Sequence, residues 1–229
     1  MADLPDIGAV YRYEPASSDE EELGGLTVLA LHDAGGNETS LLDAARRLAP
    51  GAAILSLRGA LPAGEDGAGY RHLPPRTEPP PVNPDDPDPH DEAVHERAKG
   101  LAGTLAGACD ALGIDAERVC ALGFGDGATA AAALAYENPD ALAGVVLLSG
   151  LPPFRPPKGR ILDFKQIFCA TGRNDESVTM DDYEALVEGL VTAGADVELH
   201  WYDTGHELSD AELDAAAVWA RKRLAPAED

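Results

Sequence analysis

The stretch Val119-Cys-Ala-Leu-Gly-Phe-Gly-Asp-Gly-Ala-Thr-Ala-Ala-Ala132 decides the fold. Its first half is a continuous apolar run, the pattern of a parallel strand covered on both faces. Its second half is a string of small residues, suited to a helix lying close against that sheet. Between them Gly123, Gly125 and Gly127 occupy alternate positions and make a tight strand-to-helix turn. The alternation extends outward in both directions. Strands are expected at 8–13, 26–32, 52–57, 118–124, 143–149, 166–171 and 196–202, and helices at 37–48, 91–112, 126–137, 179–193 and 208–224. Start signals at Asn37, Asp88 or His90, Thr179 and Ser209, each followed within a few residues by Glu or Asp, support the helices. Strand and helix in turn imply right-handed βαβ crossovers. The expectation is a single α/β domain over residues 1–229, with one doubly wound, mostly parallel sheet flanked by helices.

One segment breaks the rhythm. Residues 59–90 carry nine of the 18 prolines, many Asp and Gly, and no periodicity. A long irregular segment inside a compact domain points to a lid or binding loop, with a surface insertion as the alternative. His90 and His95 stand among acidic residues, but their spacing fits no strong metal-ligand pattern, so no metal is expected. They read instead as part of an acidic helix start favoured by the macrodipole.

A chain of 229 residues buries roughly 70% of its extended surface and needs no staple. Its charge is less ordinary: 41 Asp plus Glu stand against 17 Lys plus Arg, only four of them lysine, for a net charge of −24. A phosphate backbone or an anionic membrane surface would be repelled, which argues against nucleic-acid and membrane partners. Acid-rich, lysine-poor usage resembles proteins of salt-accumulating halophiles, where a Debye length of about 3 Å in molar salt screens the self-repulsion. No apolar run approaches the roughly 18 residues of a membrane span. MADLPDIGAV lacks the basic residues of a signal peptide. Cys109, Cys120 and Cys169 lie in apolar segments and read as buried reduced thiols, so a cytoplasmic location is expected.

The glycine-rich turn has the setting of a nucleophile elbow, G-x-S-x-G, which raises a serine hydroxyl at the carboxyl edge of a sheet. A dinucleotide fingerprint would need glycine at Ala128 and would follow the first strand. Here the elbow reads Gly123-Phe-Gly-Asp-Gly127, with Gly125 where the serine belongs. Two further turns follow in the order acid then histidine. Gly172-Arg-Asn-Asp-Glu-Ser-Val178 presents Asp175, and Asp203-Thr-Gly-His-Glu-Leu208 presents His206, each at the carboxyl end of a strand, where open α/β sheets bind ligands. A third loop, Leu31-His-Asp-Ala-Gly-Gly-Asn-Glu38, links an early strand to a helix. In such folds it supplies one oxyanion-hole N–H, here from Ala34, and Asp126 after the elbow supplies the second. His32 reads as a hydrogen-bonded structural residue.

These segments resemble the phospholipase/carboxylesterase family of α/β-hydrolases, relatives of acyl-protein thioesterases and dienelactone hydrolases. LHDAGGNETSLLDAARRLAPGAAILSLRG is similar to the family's LHGxGG start, and ALGFGDGATAAAALA to its GFSxGG elbow. VVLLSGLPP, GRNDESV and GHELSDAELDAAAVW fit later segments, so the likeness covers nearly the whole chain. The resemblance implies an α/β-hydrolase fold, a serine esterase acting on carboxylic esters or thioesters through an acyl-enzyme, no cofactor, and a homodimer as one possible assembly. Two departures bear on activity: Gly125 replaces the serine, and Asp33 replaces the glycine after the loop histidine. The Asp33 carboxylate either lies by the oxyanion site, opposing the charge of a tetrahedral intermediate, or points to solvent.

Three readings stay open. The first is a small-molecule, ester-like ligand bound in a cleft whose hydrolysis is lost or residual. The second is a hydrolase using His206-activated water or an unorthodox nucleophile, for which Asp126, Ser149 and Cys120 are weak candidates. The third is a partner-binding module contacting through 59–90, its pocket filled by side chains. Phe124 and Tyr70, with Phe154, are candidates for the pocket lining.

Overall fold

Seven strands form a sheet in the order β1-β3-β2-β6-β7-β8-β9. The computed structural model describes residues 5–17, 23, 25–64, 69–81, 83 and 86–226. β2 (Thr27–Leu31), β3 (Ala53–Leu57), β6 (Val119–Phe124), β7 (Gly144–Leu148), β8 (Gln166–Gly172) and β9 (Asp196–Tyr202) run parallel. β1 (Tyr11–Glu14) closes one edge antiparallel to β3. This is the mostly parallel sheet of an α/β-hydrolase fold, with helices on both faces.

Alternate residues along the central strands feed two cores. Leu29, Leu31, Ala121, Val145, Leu147 and Cys169 face α2 (Pro89–Leu112), α3 (Asp126–Glu137) and α4 (Met180–Thr192). Val28, Ala30, Leu122, Val146, Phe168 and Ala170 face α1 (Leu42–Leu48) and α5 (Asp210–Leu224). Both registers are buried, which is why these strands read as unbroken apolar runs. All three cysteines are free and buried within these cores.

Three expectations need correction. The helix expected from Asn37 starts at Leu42, because the Asn37 carboxamide accepts the N–H and hydroxyl of Thr39 and closes a local turn instead of capping a helix. The first strand lies at 11–14 rather than 8–13, since Gly8 turns the chain at φ +73°. Residues 59–90 are not structureless throughout: β4 (Leu61–Pro62) and β5 (Tyr70–Arg71) form a hairpin, and Asp88 caps α2 by accepting the His90 N–H at 3.0 Å. Of that segment, 65–68, 82, 84 and 85 lie outside the described residues.

Candidate active site

The elbow takes its shape from close approach. A Cβ at Gly127 would sit 1.9 Å from the Leu31 carbonyl oxygen, so only glycine lets α3 start against β2. Gly125 holds φ +56° and ψ −119°, a conformation that strains any L-residue. Its N–H donates to the Leu148 carbonyl at 2.9 Å, fixing the turn against β7.

Asp175 and His206 come together from the ends of β8 and β9. The Arg173 N–H donates to the Tyr202 carbonyl (2.7 Å) and the Asn174 N–H to the Thr204 carbonyl (3.0 Å), sewing the two turns side by side. One Asp175 oxygen accepts the N–H groups of Ser177 (2.8 Å) and Val178 (3.0 Å); the other meets His206 Nδ1 at 2.7 Å. The Asp175 side chain is fully buried. Burial alone would raise its carboxyl, but the His206 bond and the two N–H donors hold it below the usual range. Phe124 stacks on the imidazole with ring centroids 4.8 Å apart, so it orients His206.

The far side of His206 differs from an esterase site. Nε2 lies 3.2 Å from Asp33 Oδ2, while Asp33 Oδ1 accepts the Asp126 N–H at 2.8 Å. The Ala34 N–H also hydrogen-bonds this carboxylate. Asp33 therefore sits on the two N–H groups expected to form an oxyanion hole, and its solvent-pointing alternative is excluded. A Cβ at Gly125 would lie 2.0 Å from Asp33 Oδ1 and 2.3 Å from Cγ. The carboxylate fills the volume that a serine side chain would take. His206, bridged between two carboxylates, holds its proton up to about 9, led by the Asp33 hydrogen bond and reinforced by Asp175. At neutral pH it is an imidazolium.

The other front-loop side chains are structural. His32 Nε2 accepts the Gly59 N–H at 3.0 Å, which leaves Nδ1–H to donate to the Asp33 carbonyl at 2.7 Å. The Asp126 side chain turns away from the elbow to accept the His72 and Leu73 N–H groups, and burial raises its carboxyl to about 6. Together with the Gly35–Tyr70 and Tyr70–Gly36 backbone bonds, both 2.9 Å, it stitches the 59–90 segment to the front of the site.

A cavity of about 820 Å³ opens over this cluster. Asp33, Ala34, Gly125, Asp126 and His206 line it beside Phe154, Leu151 and Arg71, with Leu73–Arg76 of the proline-rich segment forming a wall. Tyr70 is not part of it. Its ring lies under the Arg58 guanidinium (4.6 Å) and lines a second cavity of about 680 Å³, because β5 turns that side chain away from the elbow. Ser149 borders the main cavity, but its hydroxyl is engaged with Thr171 Oγ1 at 3.1 Å. Cys120 lies buried in β6. His95 meets Glu137, and no group of three potential metal ligands exists among the described residues.

With the sheet order and these three turns in place, relatives can be compared. The dienelactone hydrolase family profile matches residues 86–222, more than half of the chain. The chain belongs to the dienelactone hydrolase family. It is similar to MhqD of Bacillus subtilis (strain 168), 27% identical over 212 residues that cover 93% of this chain and 98% of that protein. Among solved structures it is similar to a Bacillus cereus carboxylesterase (28% identity, 94% of each chain, TM-score 0.78). The fold also matches Arabidopsis thaliana SOBER1 (24% identity, 87% of this chain and 99% of that chain, TM-score 0.70). The chain thus stands in an esterase/hydrolase-like α/β family. No helix among the described residues is long and apolar enough to cross a membrane.

Proposed function

We propose that this family member keeps the acyl-binding cleft of a carboxylesterase but has lost serine-type ester hydrolysis, and that the cleft takes a small, uncharged, ester-like ligand. The observation that carries this reading is the Asp33 carboxylate, seated on the Ala34 and Asp126 N–H groups in the space of the missing hydroxymethyl. An ester carbonyl in that position would meet a negative charge where it needs hydrogen-bond donors. His206, already carrying its proton, is no base for water at neutral pH. The open cavity speaks against a purely partner-binding module, which would have side chains filling it. The net charge of −24 supports a ligand that is neither nucleic acid nor an anionic membrane, and a cytoplasmic, high-salt setting. A homodimer remains part of the proposal through the family alone.

The test is restoration on p-nitrophenyl acetate in molar KCl. Gly125→Ser alone stays inactive, because its side chain collides with Asp33. Gly125→Ser with Asp33→Gly empties the oxyanion site, frees His206 and raises turnover at least ~10³-fold over the natural chain. A folded double variant with no gain would overturn this reading.

A further inference from the structure

Resting on that loss of serine chemistry, we propose that Asp33 is itself a nucleophile, and that the site dealkylates small primary alkyl halides or sulfonates. The two substitutions are reciprocal. Glycine at 125 removes the one Cβ that would exclude Asp33, and Asp33 delivers a carboxylate to the vacated place. Its oxygens are differentiated: Oδ1 is bound to the Asp126 N–H, whereas Oδ2 faces His206 Nε2 at 3.2 Å. The side chain is 30% exposed and lines the cavity, so an electrophile in the cavity can approach the carboxylate.

A carboxylate cannot usefully attack an ester carbonyl from a site whose oxyanion donors it occupies itself. It can attack a saturated carbon, where no oxyanion forms. In the first step the Oδ2 electron pair forms a C–O bond as the carbon–halogen bond breaks; the products are an Asp33 alkyl ester and a halide anion. The cation beside Asp126 that lines the same cavity is Arg71, whose Nε is buried with no hydrogen-bond partner among the described residues. Halide and sulfonate depart as stable anions and need no proton at the moment of displacement.

The second step uses the same groups. Alkylation neutralises Asp33 and removes the leading cause of the proton's retention on His206; the imidazolium gives that proton to solvent, leaving a neutral imidazole held by Asp175. Nε2 then takes a proton from water, whose oxygen attacks Asp33 Cγ. The tetrahedral oxyanion develops on Oδ1, already placed at the Asp126 N–H. Collapse expels the alkoxide, which takes the proton from His206, and the new carboxylic acid passes its own proton to the imidazole, restoring the carboxylate–imidazolium pair. The sum is alkyl halide plus water giving alcohol, halide and a proton, with no oxidant, reductant or cofactor.

The experiment uses 1-bromobutane with the full chain in molar potassium sulfate, reading bromide release and intact mass. The natural chain releases bromide, Asp33→Asn releases it at least ~10³-fold more slowly, and His206→Gln stops after one equivalent with a butyl group on Asp33. The natural chain in ¹⁸O-water supplies a test that needs no variant: the first turnover yields unlabelled butanol and puts the label into Asp33. No bromide release, a butyl group only on a cysteine, or label entering butanol directly in that first turnover overturns the proposal. Failure here with successful restoration of p-nitrophenyl acetate hydrolysis removes the nucleophile and leaves the ester-cleft reading standing.

Discussion

The back and front halves of the site are built from the same materials and arranged in opposite senses. At the back, the turns after β8 and β9 retain an aspartate and a histidine joined at 2.7 Å, with the acid's second oxygen satisfied by two backbone N–H groups. At the front, the turns after β2 and β6 set the Asp33 carboxylate against the bare backbone of Gly125, in space that a Cβ there would need. The result is one imidazolium between two carboxylates.

The sharpest way to break this comparison is to restore one side of the exchange only. Gly125→Ala places a Cβ 2.0 Å from Asp33 Oδ1 on a backbone at φ +56°, and costs about 2–4 kcal/mol in chemical denaturation. Adding Asp33→Gly recovers on the order of 1–3 kcal/mol of that loss as coupling. Strictly additive effects would mean that the two positions are not a reciprocal pair.

Next in size is removal of the shared cation. His206→Ala leaves the buried Asp175 and the partly exposed Asp33 without a counter-charge, and loses about 3 kcal/mol near neutral pH. Asp33→Asn keeps the Asp175 contact and loses roughly 1 kcal/mol. Equal losses would show that the front carboxylate is bound as firmly as the back one.

Titration then separates the two carboxylates without unfolding anything. His206 in the free protein titrates at about 9 rather than its ordinary 6.5, so the stability it contributes is complete below about 6.5 and fades as the pH rises through about 9. Histidine NMR reads this directly, and Asp33→Asn moves the midpoint down. A His206 midpoint near 6.5 in the natural chain would show that the two-carboxylate bridge does not form in solution.

How far all this could be read in the chain follows from where the information sits. The strand β6 and elbow were legible because burial on both faces writes an apolar run, and because the contact with Leu31 forces glycine at 127. Asp175 and His206 were legible because they end consecutive strands. The inward turn of Asp33 was not, since the carboxylate's choice between solvent and the elbow depends on the space left by residue 125, 92 positions away. The signal was present only as a pair of departures from the motifs the chain resembles, Asp33 at one and Gly125 at the other. Tyr70 misled for a related reason: a two-residue strand in a proline-rich segment carries no periodicity from which its facing could be judged.

The smallest effect tests whether the back half is held by its own local chemistry. Ser209 and Glu212 form a reciprocal cap at the start of α5, three residues beyond His206, with the hydroxyl accepting the Glu212 N–H at 3.2 Å and the carboxylate accepting the Ser209 N–H at 2.8 Å. No such side-chain cap starts α1, after the front loop, where Leu41 holds the position. Ser209→Ala therefore costs about 1 kcal/mol. Because His206 is fixed by Phe124, Asp175 and Asp33 rather than by this helix end, its titration midpoint stays in place. A midpoint that moved with the cap would mean that helix α5, and not the crossing of the two turns, positions the histidine.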